Sequence, residues 1–337
     1  MAKFPMYPQY VPIIKWQTYE QRALTELTAA VVPRTLPCVE VRDSKQHASM
    51  LDCFSKVWKY PALVDYANPE GVLTKTRLKE LNQFLKLSDG SGKQAMPVLN
   101  PVTAAQDFPI IAPNLGGRKV ALRLRVDLPG IGIGIALVRN ALTVPGLAGR
   151  AERLIVDLGR TPTTHPSDLT TLAAAFQTLK GLGFAHLHLS SGSFPGSLAN
   201  IVGTGEIERK DWKLWHSVQA LAPLALIGFC DYGPLNPDWT EEILQRRGSR
   251  VTIRYALDDK WRIVRGTNAT KQESVAISKI LVNMYPHEYQ GPTFSFGDKL
   301  IAERVDPAIP LKKKSGGHLH ITEYWTHHIS YVLQKQY

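Results

Sequence analysis

"LALIGFCDYGPLNPDW", residues 224–239, runs from apolar, strand-like sequence straight into Asp231, Tyr232 and Gly233, then into a proline-broken loop. A buried strand that ends on an acid and a tyrosine is either stopped there or delivering side chains to a site. The pattern recurs along the chain. The other runs are "YVPIIKW" (10–16), "LPCVEVRD" (36–43), "YPALVDY" (60–66), "AMPVLNP" (95–101), "KVALRLRVDL" (119–128), "RLIVDLG" (153–159) and "FAHLHLSS" (184–191). Each is a short stretch rich in Val, Ile, Leu and Ala with polar or Gly/Pro punctuation, as buried parallel strands read.

Helix-like sequence lies between them: "TYEQRALTELTAAV", "TKTRLKELNQFLKL", "SDLTTLAAAFQTLKGLG" with Ser167 as N-cap, and "RKDWKLWHSVQALAP". Strand–helix alternation predicts a parallel α/β fold, and eight strands is the number at which such a sheet closes. A doubly wound open sheet also alternates but seldom needs eight, so the expectation is an α/β, TIM-like (β/α)8 barrel over 1–246. Beyond it the pattern changes. "RVTIRYALDDKWRIVRG" (250–266) reads as a hairpin turning at Asp258–Asp259. The helical "SVAISKILVNMY" and a tail rich in His and aromatics follow, so 247–337 reads as an α+β appendage.

Length and composition agree. The chain has 337 residues, 44% hydrophobic and 20% charged, ordinary for a globular protein. Cys38, Cys53 and Cys230 are too few and scattered for a disulfide framework or a zinc site. With no signal-like N-terminus and no long apolar run, the expectation is a cytoplasmic chain without a membrane partner. Its net charge of +11 points to an acidic partner, with nucleic acid among the candidates. The local cluster "LKKKSGG" (311–317) reads as a solvated loop.

Barrel chemistry belongs to the C-terminal ends of the strands. Read there, the chain offers Lys15, Glu40, Asp65, Asn100, Arg123, Arg125, Asp157, His186, His188 and Asp231. Purely structural packing would use Val, Ile and Leu. Period two puts Arg123 with Arg125 on one face, and His186 with His188 and Ser190 on another. Buried arginines need partners. Glu40, Asp65, Asp157 and Asp231 would pair them, or would hold a divalent metal such as Mg²⁺, Mn²⁺ or Zn²⁺ for a phosphodiesterase or nuclease reaction. A satisfied ion-pair ring is the alternative. No cofactor is otherwise implied, and whether the chain is an enzyme stays open.

Other signals are weaker. "PGIGIG" (129–134) lacks the spacing of a dinucleotide fingerprint and reads as a loop after the fifth strand. His318 and His320 would share a strand face, whereas His327 and His328 would oppose one another. Ser190–Ser193 lacks a nucleophile elbow, and neither Cys38 nor Cys53 sits in a nucleophile motif.

Taken in order, "YVPIIKWQTYEQRAL", "PCVEVRD", "LVDYANP", "LRLR", "CDYGPL", "IRYALDDKWRIVRG", "GPTFSFGDKLI" and "YWTHHISYVL" resemble the phage Beta protein family across nearly the whole chain. The resemblance implies a barrel-like α/β part. It also implies a place in a toxin–suppressor cassette of phage defence, where the Beta component counteracts the killing partner. It emphasises Lys15, Glu40, Asp65, Arg123, Asp157, Asp231, Tyr232, Arg254, Tyr255, Arg265, Gly266, Gly297, Asp298, His327 and His328. Thr326 stands where the family usually has a glycine. On this basis Tyr232, Arg254, Arg265, His327 and His328 join the pocket candidates, with Arg254 and Arg265 expected to reach the barrel mouth.

Overall fold

The computed structural model describes residues 7–68, 70–87, 94–238 and 250–337. Every expected strand forms: β1 (Val11–Lys15), β2 (Cys38–Glu40), β3 (Ala62–Asp65), β4 (Ala95–Leu99), β5 (Val120–Arg125), β6 (Ala151–Arg160), β7 (His186–Gly192) and β9 (Gly228–Asp231). All pair in parallel in that order, and β9 closes the ring on β1, making a TIM-like barrel. The residues alternate as a two-fold period demands. Val11, Ile13, Cys38, Leu63, Val98, Ala121, Ile155 and Cys230 form the interior core.

The helices of this part follow from local chemistry. In α2 (Ser44–Val57) the Asp43 carboxylate caps the Gln46 amide at 2.7 Å. The others are α3 (Lys75–Leu87), α4 (Ala104–Ile111), α5 (Ile131–Leu142), α6 (Pro166–Lys180) and α7 (Lys210–Leu221). Two expectations are corrected here. "PGIGIG" is not a loop: Gly130 is the N-cap of α5, and its apolar turn follows at once. The N-cap of α6 is His165 rather than Ser167, because Pro166 suits the first helical position and Asp168 closes a capping box on the His165 amide.

Contacts divide the chain into two compact units. The barrel unit comprises Met1–Gln17, Arg34–Gly192 and Asp211–Tyr232, and the second comprises Thr18–Pro33, Ser193–Lys210 and Gly233–Tyr337. The boundary expected at 246–247 lies outside the described residues. In the second unit β10 (Thr252–Ala256) and β11 (Lys260–Arg265) form the expected hairpin. A third strand, β8 (Thr204–Glu208), pairs with β11. Its short "TGEIE" alternates between exposed and half-buried residues and has only Ile207 as an apolar member, too faint a strand signature to read. Helices α1 (Thr18–Thr25), α8 (Lys271–Met284), α9 (Phe296–Val305) and α10 (His320–Tyr331) complete it around Trp261, Tyr255, Ile263 and Leu281.

The histidine-rich tail is therefore helical, and no strand face joins His318 to His320. Nor is "LKKKSGG" wholly solvated. Lys314 is buried and donates to the carbonyls of Arg304 and Asp306 at 2.5 and 2.7 Å. No helix among the described residues is long and apolar enough to cross a membrane.

Candidate functional site at the barrel mouth

Parallel register aligns Lys15 with Glu40 and Glu40 with Asp65 on adjacent strands, so three ionisable side chains enter the barrel side by side at its C-terminal end. Arg123, from β5, supplies the centre. Its Nε donates to Asp157 at 2.9 Å, and its Nη1 to Glu40 and Asp65 at 2.9 and 2.8 Å. Its Nη2 reaches Asp157 and the Tyr232 hydroxyl, both at 2.8 Å. That hydroxyl in turn donates to Asp157 at 2.7 Å. A guanidinium has five N–H donors, and here each faces an acceptor. Arg123, Asp65 and Asp157 are almost wholly excluded from solvent, at 1%, 0% and 1% exposure.

Such burial is tolerable only because the charges are paired. For Asp65, burial pushes the carboxyl up; the guanidiniums of Arg125 and Arg123 and the Ala67 amide overcome it and leave it below the ordinary value. Burial acts the same way on Asp157, and Arg123, Arg125, Tyr232 and the Gly159 amide reverse it. Lys15 stands against Glu40, yet burial, then the charges of Arg42 and Arg123, holds its ammonium well below the usual lysine range.

Two further arginines complete the mouth. Arg125 donates to Asp65 through Nη2 at 2.8 Å and keeps 17% of its side chain exposed. Gly71, at φ +82°, brings the β3–α3 loop close: a Cβ there would lie 2.7 Å from Asn100 Nδ2 and 3.0 Å from Arg125 Nη1. Asn100 ties that loop down by donating to the Gly71 carbonyl at 3.0 Å. Arg42, just past β2, reaches Glu40 at 2.9 Å. It escaped the sequence reading because it lies beyond the strand; its signal was the two-residue spacing Cys38, Glu40, Arg42.

Asp231 is not brought to this cluster. Cys230 and Tyr232 belong to the interior, so the alternation sends Asp231 outward with Phe229. There the Tyr10 hydroxyl donates to it at 2.5 Å while the Tyr10 ring stacks on Phe229 at 5.6 Å. The four carboxylates expected around a metal thus have no common centre, and three spend their oxygens on basic side chains and on the Ala67 and Gly159 amides. Among the described residues no group of three or more His, Cys, Asp or Glu is arranged to hold a metal ion.

His188 lies early in β7, beside Gly228, toward the opposite end of the barrel. Its Nε2 donates to the Gln9 carbonyl at 3.1 Å. Half-buried His186, one pair earlier in β7, stands opposite Arg153. In His188, burial and then the Arg153 charge push the ring down to about 3. A lowered histidine keeps its full stability contribution above the unfolded value of about 6.5 and loses it as pH falls toward the folded one. Acidifying from pH 6.5 to 5 should therefore cost about 2 kcal/mol, at about 1.4 kcal/mol per pH unit. His188→Gln, which retains an N–H donor for Gln9, should flatten the slope. Urea unfolding midpoints at both pH values measure it, and parallel slopes in the two proteins would dismiss the histidine.

The remaining candidates belong to the second unit and have partners there. Arg254 lies over the rings of Phe194 and Tyr324, 4.6 and 5.1 Å from their centroids, and donates to the Pro234 carbonyl at 2.6 Å. Arg265 binds the carbonyls of Leu198 and Ile201. His327 places Nδ1 2.9 Å from Asp298 and Nε2 3.0 Å from the Ala256 carbonyl, with Tyr255 stacked on its ring at 3.7 Å. His328 packs among Trp261 and Trp325.

A family model described as Beta protein matches residues 10–334 of the chain. No curated protein matches it.

Proposed function

The chain belongs to the Beta protein family, and we propose that it acts as the suppressing component of a toxin–suppressor cassette of phage defence, by binding rather than by turnover. The mouth of the barrel is the recognition site in this reading, and an anionic group on the protein partner is what it takes. One contrast carries the argument. Arg123 has an acceptor for every N–H and serves as the frame, whereas Arg125 has one acceptor among the described residues and keeps a solvent-facing edge. A guanidinium held by Asp65 and open on its other edge suits two parallel N–H bonds to a carboxylate or phosphate. Preorganisation by buried charges lowers the ordering cost of binding. The basic excess of the chain would speed encounter with such a partner.

The test is growth rescue. Cells expressing the killing component should grow when the wild-type chain is co-expressed and fail with Arg42→Ala/Arg125→Ala. Asp65 keeps Arg123 and the Ala67 amide in that variant, so the fold should survive, which circular dichroism of the purified variant checks. Undiminished rescue by the double variant would remove the mouth from the account. Failure of the wild-type chain to rescue would remove the suppressor role itself.

A further inference from the structure

The "PGIGIG" segment holds three glycines, and neighbouring side chains press close on only two of them. A Cβ on Gly134 would fall 2.8 Å from Leu124, and one on Gly130 would fall 2.6 Å from the Asp127 carboxylate. Gly132 meets nothing within 4 Å and has no positive φ, yet it stands in the first turn of α5, where glycine is a poor choice. Its empty side opens into a cavity of about 880 Å³ between α5 and α6. The cavity belongs wholly to the barrel unit and lies at the C-terminal ends of β5 and β6, the end at which such barrels carry their sites. None of the Arg123 cluster lines it. Its size is that of a ligand site.

We infer that this cavity binds an aliphatic ligand carrying one cationic group, and that the missing side chain of Gly132 keeps it open. Leu128, Ile131, Ile135 and Leu158 supply its larger apolar side chains and Thr163, Thr171 and Thr178 its hydroxyls, and no aromatic ring lines it among the described residues, so flat stacking ligands find no platform. Asp127 and Asp168 set the charge. Each gives one oxygen to a backbone N–H of its own turn, that of Gly130 at 2.9 Å and that of His165 at 2.8 Å. The second oxygen of each meets no protein donor among the described residues. Arg160 also lines the cavity, leaving the acids in excess in a chain whose overall charge is +11. A cation is therefore favoured over an anion of equal length.

Calorimetric titration of the full chain with decyltrimethylammonium and with decanoate, both below micelle formation, tests this. Decyltrimethylammonium should bind the wild type at least about tenfold more tightly than decanoate, a difference of about 1.4 kcal/mol. Gly132→Phe, and Ala174→Phe on the opposite wall, should each weaken it by about tenfold or more. Gly132→Ala should keep binding and raise the melting temperature, since alanine favours the helix. Should Gly132→Phe fail to fold, Ala174→Phe decides. Equal binding in the folded Phe variants, or no binding of either probe to the wild type, overturns the site. Tighter binding of decanoate overturns the assigned charge.

Discussion

Arg123→Met should abolish cooperative unfolding of the barrel unit at pH 7 or bring its denaturation midpoint close to zero. The substitution leaves Glu40, Asp65 and Asp157 facing one another behind an apolar side chain. Breaking even one buried ion pair costs about 3–5 kcal/mol, and whole domains have only about 5–15 kcal/mol to lose. The pH dependence should also flatten. In the wild type Asp65 and Asp157 sit below their ordinary values, so their contribution is present above the unfolded value of about pH 4 and is lost as pH falls below it. Without Arg123 the buried Asp157 keeps only the Tyr232 hydroxyl and the Gly159 amide and should titrate upward, while Asp65 retains Arg125 and Glu40 retains Lys15 and Arg42, so the variant should lose less stability than the wild type as pH falls from 7 toward 4. Adding Asp157→Asn should recover part of the loss, because that carboxylate has no other ion-pair partner among the described residues. Denaturation of Arg123→Met at pH 7 and 4.5 measures both effects, and a midpoint near that of the wild type with an unchanged pH slope would sink the argument.

Glu323→Leu should cost the second unit about 3–5 kcal/mol. Arg304 is fully excluded from solvent and its Nη1 donates to Glu323 at 2.9 Å, with Nη2 against the same carboxylate. Its other partners, the Ser315 carbonyl at 3.2 Å and the Ser278 hydroxyl at 3.4 Å, are neutral and long. Burial already draws the guanidinium down to about 10. Removing the carboxylate strands that charge and also takes away the oxygen 2.9 Å from His320 Nδ1, in a ring that burial and the Arg304 charge hold well below the ordinary histidine value. Arg304→Met with Glu323→Leu should restore most of the stability, because the expense lies in the unpaired charge rather than in the missing pair. Urea denaturation of the wild type and both variants measures the loss and its recovery. A single variant within about 1 kcal/mol of the wild type would contradict it.

The mouth was readable in the sequence wherever a charged residue stood inside an apolar strand. Glu40, Asp65, Arg123 and Asp157 are of this kind, since no packing need explains them. Asp231 misled because its place at a strand end was weighed before its parity: Cys230 inside means Asp231 outside. His188 misled for the opposite reason, its face being right and its height along β7 wrong. Tyr232, whose hydroxyl bridges Arg123 and Asp157, stood out at the end of its strand and joined the candidates through the family resemblance.

The barrel itself was determined by local pattern. Short apolar runs, glycine and proline punctuation, and helical periodicity between them are properties of neighbouring residues, and they specify eight strands without reference to anything distant. The hairpin at Asp258–Asp259 was legible for the same reason. Tertiary structure alone decided the pairing. Arg123 could have met any of four carboxylates; strand order and register chose Glu40 and Asp65, 83 and 58 residues away, and Asp157, 34 residues on. It also made the histidine-rich tail a helix, buried it against its own unit, and opened a cavity beside Gly132. Such choices depend on which side chains share a low-dielectric interior, where pairing or its absence is worth several kcal/mol. No window along the chain contains that information.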